Sequence, residues 1–175
     1  LSMMGVGTNI LGYARKEIDN EIKKIISKSN MATLNCPEEV FLAEKLISLH
    51  PWAKKVKFAR TGAEANAIAI RLARALTNKN KIAICGYHGW HDWYLAANLD
   101  NKNYLKKHLL DGLKIKGVPN NLKNTVYTFY YNDLKSFYKI INNKEIGTVI
   151  MEVARNFSFN ENFVKKIREI TKKRK

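Results

Sequence analysis

Three short segments of this 175-residue chain hold residue types suited to gripping a flat, phosphorylated ligand. The first is Thr61-Gly62-Ala63, where an alternating stretch gives way to a helical pattern. A glycine at a strand–helix turn lets backbone N–H groups approach a ligand closely. The helix start adds unsatisfied N–H groups and the positive end of the helix dipole. Those are the ingredients of a phosphate site, although many such loops carry a glycine for steric reasons alone. The second segment is Gly86-Tyr87-His88-Gly89-Trp90-His91-Asp92, directly after the apolar run 81–85. An aromatic ring beyond the carboxyl end of a strand can stack on a flat heteroaromatic cofactor. A Tyr-His pair also occurs as a core aromatic beside a hydrogen-bonded histidine. The third is Glu152, ending the apolar run 147–151, where a carboxylate serves a site or pairs with a nearby base such as Arg155. His88, His91 and Asp92 lack a further ligand at supporting spacing, so no metal site is expected.

The elements that must position these residues can be read from periodicity. Residues 1–13 are glycine-rich and irregular. Ile18, Ile22, Ile25 and Ile26 recur at helical spacing within 15–27, with lysines opposite. Pro37 suits the first turn of a second helix, which Pro51 closes. Residues 56–59 alternate like a short strand, and 63–77 form a strong helical run without internal Gly or Pro. Strands are predicted at 81–85, 126–130 and 147–152. Asn132-Asp133 caps a helix at 134–141, and Asn160 caps a last helix carrying Phe163, Val164, Ile167 and Ile170 on one face. Strand and helix alternate from about residue 56 onward, which predicts an α/β layer with a mainly parallel sheet. The expected organisation is an N-terminal helical segment at 1–52 and an α/β domain at 53–175.

Composition narrows the class. Apolar residues make up 46% and charged residues 26%, ordinary for a soluble globular protein. No apolar run approaches the roughly 20 residues that span a bilayer, and no signal-peptide pattern opens the chain. Cys36 and Cys85 are too few for a disulfide framework, so two free thiols in a reducing cytoplasm are expected. Lys and Arg number 31 against 15 Asp and Glu, a formal charge of +16. Such a balance suits a nucleic-acid partner. The lysines are dispersed, however, without one dominant block or an interleaved aromatic platform, so solvated faces explain them better.

Taken together, four ordered segments resemble the class III aminotransferases, enzymes dependent on pyridoxal 5'-phosphate (PLP). Thr61-Gly62-Ala63-Glu64-Ala65-Asn66, continuing into Ile70-Arg71-Leu72-Ala73-Arg74-Ala75, is similar to the family's Ser-Gly-Thr-Glu-Ala-Asn helix. Tyr87-His88-Gly89 with His91-Asp92 resembles its Tyr-His-Gly-x-His-Asp segment. Tyr131-Asn132-Asp133-Leu134 resembles its Tyr-Asn-Asp turn, and Ile150-Met151-Glu152 its strand ending in Glu-Pro. The resemblance runs from about Gly5 to Lys175 and leans toward glutamate-1-semialdehyde aminomutase-like members. It implies part of the large domain of PLP-dependent transferase fold type I, truncated, and a cytoplasmic homodimer in the intact parent. By resemblance, Thr61, Gly62 and Ala63 hold the cofactor phosphate, Tyr87 stacks on the pyridine with His88 beside it, and Glu152 is the catalytic-pocket carboxylate. The intact parent would move an amino group between small donor and acceptor substrates through a PLP aldimine.

The departures from the family pattern have chemical weight. Ala63 removes a hydroxyl but keeps its backbone donor, Thr61 replaces Ser, and Val153 stands where Pro usually follows the glutamate. The family's aspartate for the pyridine nitrogen, and the lysine that forms the Schiff base, correspond to nothing within 1–175. This chain alone is therefore expected not to catalyse transamination. Fragments of amino-sugar or ω-amine aminotransferases fit the same motifs. So does a basic nucleic-acid-binding protein on an enzyme-like frame, or a half that pairs with a separately encoded remainder.

Overall fold

The computed structural model describes residues 8–28, 33–100, 104–106, 114–154 and 158–174. Arg155, a candidate partner of Glu152, lies outside them, as do Gly5, Gly7 and Lys175. The chain divides into two units, Leu1–Lys57 and Phe58–Lys175. Among the described residues no helix is long and apolar enough to cross a membrane.

The first unit holds α1 (Lys16–Ile26) and α2 (Pro37–Leu49). In α1, Glu17 and Asp19 sit in the first turn and Lys23 and Lys24 in the last, each complementing the helix dipole. Pro37 occupies the first turn of α2, where its missing N–H is not needed. Neither helix contains a buried residue. Residues 53–59 form no strand, and no ladder partner runs beside them among the described residues. The alternation at 56–59 is a local preference, and a strand exists only when a neighbour accepts its hydrogen bonds.

In the second unit the order is α3 (Gly62–Thr77), β1 (Lys81–Cys85), α4 (Asp92–Leu95), α5 (Ala97–Asp100), β2 (Val126–Thr128), α6 (Leu134–Asn143), β3 (Ile146–Met151) and α7 (Glu161–Lys173). The three strands form a parallel sheet in the order β2-β1-β3. Central β1 pairs Ile82 with Val126 on one side and with Thr148 on the other. Its alternation sorts the core into two layers. Ile82 and Ile84, both fully buried, face Ile70 of α3 together with Trp93, Tyr94 and Leu95 of α4. Ala83 and Cys85 face Phe137 and Ile141 of α6 and Phe163 and Ile167 of α7. Each large side chain so buried contributes about 1.5–3 kcal/mol.

Local chemistry explains the boundaries. The Asp133 carboxylate accepts the Ser136 N–H at 3.0 Å and starts α6; the Asn160 side chain accepts the Phe163 N–H at 3.0 Å and starts α7. β2 stops two residues short of the alternating pattern, because the Tyr130 N–H turns to the Ser136 hydroxyl at 3.0 Å.

Connections decide where a ligand can sit. From β1 the chain leaves toward the α4 layer, and from β3 it leaves toward the α7 layer. The carboxyl ends of these neighbouring parallel strands therefore part. That divergence is the switch point at which open α/β sheets bind ligands.

Candidate functional site

Gly86 opens the turn after β1 with φ +94°, a conformation L side chains rarely adopt. A Cβ there would lie 2.9 Å from Cγ and Cδ of Glu152. Glu152 sits one residue beyond β3, where its N–H still donates to the Cys85 carbonyl at 3.0 Å. Its carboxylate Oε2 accepts the Tyr87 N–H at 3.1 Å, a contact 65 residues apart in sequence. The absence of a side chain at Gly86 is what lets the carboxylate reach across the switch point.

The start of α3 is fastened to the same loop. The Asn66 side-chain amide donates to the His88 carbonyl at 3.1 Å. Gly89 (φ +111°) lies so close that an added Cβ would stand 2.7 Å from the Ala63 Cβ and 3.1 Å from its Cα. Thr61 caps the helix, its hydroxyl accepting the Glu64 N–H at 3.2 Å. The Glu64 carboxylate reaches back to the Arg60 N–H at 2.9 Å, a variant of the capping box. Capping uses the third donor of the first turn, and an α-helix offers no internal acceptor to those of Gly62 and Ala63. Nothing lies within 4 Å of the position a Gly62 Cβ would take, so that side of the helix start is open.

His88 is 5% exposed, and its Nε2 lies 2.9 Å from the Cys85 carbonyl. A carbonyl only accepts, so Nε2 carries the proton. Burial lowers the His88 pKa below 6.5, outweighing the Cys85 bond and the Glu152 charge, which both raise it. The ring is thus a neutral post, and His88 meets α3 through its carbonyl. Burial, reinforced by the Glu152 charge, pushes the Cys85 thiol up to about 12, leaving it protonated and inert.

The Tyr87 ring is half-buried and stands edge-on to Tyr94, with centroids 5.9 Å apart and planes at 82°. Tyr94 is fully buried and donates its hydroxyl to the Gly86 carbonyl at 3.0 Å. Sequence reading missed Tyr94, because the short stretch after Asp92 carries no sustained helical or strand period. The available signal was Asp92 followed by the bulky run Trp93-Tyr94-Leu95, which forms the one-turn α4.

The fold thus brings Thr61, Gly62, Ala63, Tyr87, His88 and Glu152 to one edge of the sheet. Among the described residues no group of three His, Cys, Asp or Glu is placed to hold a metal ion. First-turn N–H donors, an aromatic ring on a braced loop and a carboxylate are equipment for a flat, phosphorylated molecule.

Comparison with known proteins bears on the same region. Residues 2–175 match the family description "Aminotransferase class-III". The glutamate-1-semialdehyde 2,1-aminomutase of Sulfurisphaera tokodaii is 34% identical over 179 residues, covering 97% of this chain and 41% of that protein. The 3-aminobutyryl-CoA aminotransferase of Cloacimonas acidaminovorans is 36% identical over 136 residues, covering 77% of this chain and 29% of that protein. A solved transaminase with PLP bound shares the fold, with a TM-score of 0.78 and 22% identity over 92% of this chain and 38% of that one. The chain therefore spans less than half the length of the relatives it matches. With its motifs gathered at the switch point of a parallel sheet and its sequence matched from residue 2 to 175, this chain belongs to the class III aminotransferase family.

Proposed function

We propose that this chain forms the cofactor-cradling part of a PLP-dependent aminotransferase or aminomutase, of the glutamate-1-semialdehyde aminomutase kind. One observation carries the reading: α3 and β3 are both bonded to the Gly86–Gly89 loop, through Asn66 and Glu152. The residues present suit PLP in kind. The Gly62 and Ala63 N–H groups would hold its phosphate, beside the Thr61 cap. Tyr87 would lie against its ring, with the buried His88 beside it. Glu152 braces the Tyr87 backbone and supplies the pocket's carboxylate. When bound, PLP supplies the electron sink that amino-group transfer needs. No lysine within 1–175 corresponds to the family's reactive lysine, so turnover is proposed for the whole protein and cofactor contact for this chain.

The proposal includes a cytoplasmic homodimer acting on small amino donors and acceptors, without a membrane or nucleic-acid partner. The resemblance supports the dimer, and the dispersed lysines argue against nucleic acid. A second reading keeps the chemistry and changes the substrate to an amino sugar or an ω-amine. The relative named for 3-aminobutyryl-CoA supports a substrate other than glutamate 1-semialdehyde.

The test is calorimetric titration with 4-deoxypyridoxine 5'-phosphate, which has no aldehyde and so cannot react with surface lysines. Saturable binding that weakens about tenfold when the phosphate is removed from the probe is expected. Gly62→Pro deletes one phosphate donor at a position that tolerates proline, since Gly62 opens the helix and Thr61 is already extended (φ −135°, ψ 156°). A folded Gly62→Pro chain that binds the probe unchanged would refute the phosphate assignment.

A further inference from the structure

Gly86 and Tyr87 share one peptide plane, and that plane is held from both of its ends. On one side its carbonyl, belonging to Gly86, accepts the Tyr94 hydroxyl at 3.0 Å. On the other its N–H, belonging to Tyr87, donates to the Glu152 carboxylate at 3.1 Å. The orientation of a peptide plane sets ψ of the residue before it and φ of the residue after it. Here the residue before is a glycine at φ +94°, which by itself imposes little restraint. The residue after carries the ring that the proposed function assigns to the cofactor.

We propose that Tyr94 is a positioning residue, and that its hydroxyl, working against Glu152 across the Gly86–Tyr87 peptide, sets the attitude of the Tyr87 ring. This rests on the proposed reading of Tyr87 as the cofactor platform. Burial and three ring contacts make Tyr94 a fixed anchor. It is fully buried, and its ring packs edge-on against both Tyr87 (5.9 Å) and His88 (6.0 Å). Trp93 closes on it edge-on at 5.8 Å. A phenol so enclosed has few rotamers open to it, so its hydroxyl holds the carbonyl in one direction. Glu152, half-buried, is the adjustable end of the clamp. Tyr94 meets the site through the Gly86 carbonyl and through ring edges against Tyr87 and His88, whereas Tyr87 is the ring assigned to the ligand.

The consequence is selective. Losing the Tyr94 hydroxyl should weaken recognition of an aromatic ring and leave recognition of phosphate by α3 intact. The experiment titrates the chain with 4-deoxypyridoxine 5'-phosphate and, separately, with inorganic phosphate. Wild type, Tyr94→Phe, Tyr87→Leu and the double variant are compared. The expectation is a loss of about fivefold in affinity for the pyridine probe in Tyr94→Phe, with phosphate affinity unchanged. In the Tyr87→Leu background the second change should add less than about twofold, because both act through one ring. Tyr94→Phe binding both probes as wild type does, while Tyr87→Leu loses the pyridine probe, would overturn the inference and leave the site reading standing. Equal loss of both probes in Tyr94→Phe would reduce Tyr94 to a general structural role and overturn the inference too. A wild-type chain that binds neither probe would end the site reading and this inference with it.

Discussion

Replacing Gly86 with alanine should both strain the fold and disarm the site. At φ +94° an L side chain costs about 1–3 kcal/mol in backbone strain. The new Cβ also occupies space 2.9 Å from Cγ and Cδ of Glu152, so the carboxylate must swing away. That forfeits the charge-assisted bond to the Tyr87 N–H, worth about 1.5–3 kcal/mol in full. Glu152 is half-buried and flexible enough for water to replace part of that loss, which places the total near about 3 kcal/mol. Urea unfolding followed by circular dichroism measures it directly. The two contributions separate in a double-mutant cycle. In a Glu152→Ala background the carboxylate is no longer there to displace, and Gly86→Ala should cost only its backbone strain, about 1–3 kcal/mol and less than in the wild-type background. A loss below about 0.5 kcal/mol in the single variant, or an undiminished loss in the Glu152→Ala background, would refute the close-approach argument.

The neighbouring glycines should behave differently from one another. Gly89→Ala meets the Ala63 backbone at the start of α3 as well as an unfavourable φ, and should cost about 3 kcal/mol by urea unfolding. Gly62→Ala meets nothing and should change stability by less than about 0.5 kcal/mol. Iodoacetamide under native conditions should label exposed Cys36 and spare Cys85, whose buried thiol is held at about 12; two labels per folded chain would contradict that burial. Burial lowers the folded-state pKa of His88, so the unfolded chain binds more protons in this range. The stability from keeping His88 neutral is complete above its unfolded pKa and is lost as pH falls below 6.5. Urea midpoints should therefore drop as pH falls below 6.5, and His88→Gln should flatten that drop.

The long helices were legible because their signals are local. Pro37 at the start of α2, Thr61 before α3, Asp133 before α6 and Asn160 before α7 all stand where their backbone chemistry requires them. Repeating Ile residues in α1 and the Ala-rich run of α3 state a 3.6-residue period without reference to anything distant. Strands were less secure, since each depends on a neighbour. The alternation at 56–59 found no partner among the described residues, and β2 ended early because Ser136 took the Tyr130 N–H. The four-residue α4 was invisible for a similar reason. A single turn has too little period to detect and is held by burial of Trp93, Tyr94 and Leu95.

By itself the sequence determined which residue types are available for chemistry and which family their pattern resembles. Glycines, caps and aromatic–histidine pairs are short-range patterns, dictated by what a backbone can do within a few residues. Only the tertiary structure decided how those residues act on one another. It set the Glu152 carboxylate on the Tyr87 N–H, Asn66 on the His88 carbonyl and Gly89 against Ala63. It also made His88 a neutral buried post and brought Tyr94 beneath the loop. Contacts between residues as far apart as 65 positions follow from strand order and from the divergence of β1 and β3, and no local pattern encodes that geometry.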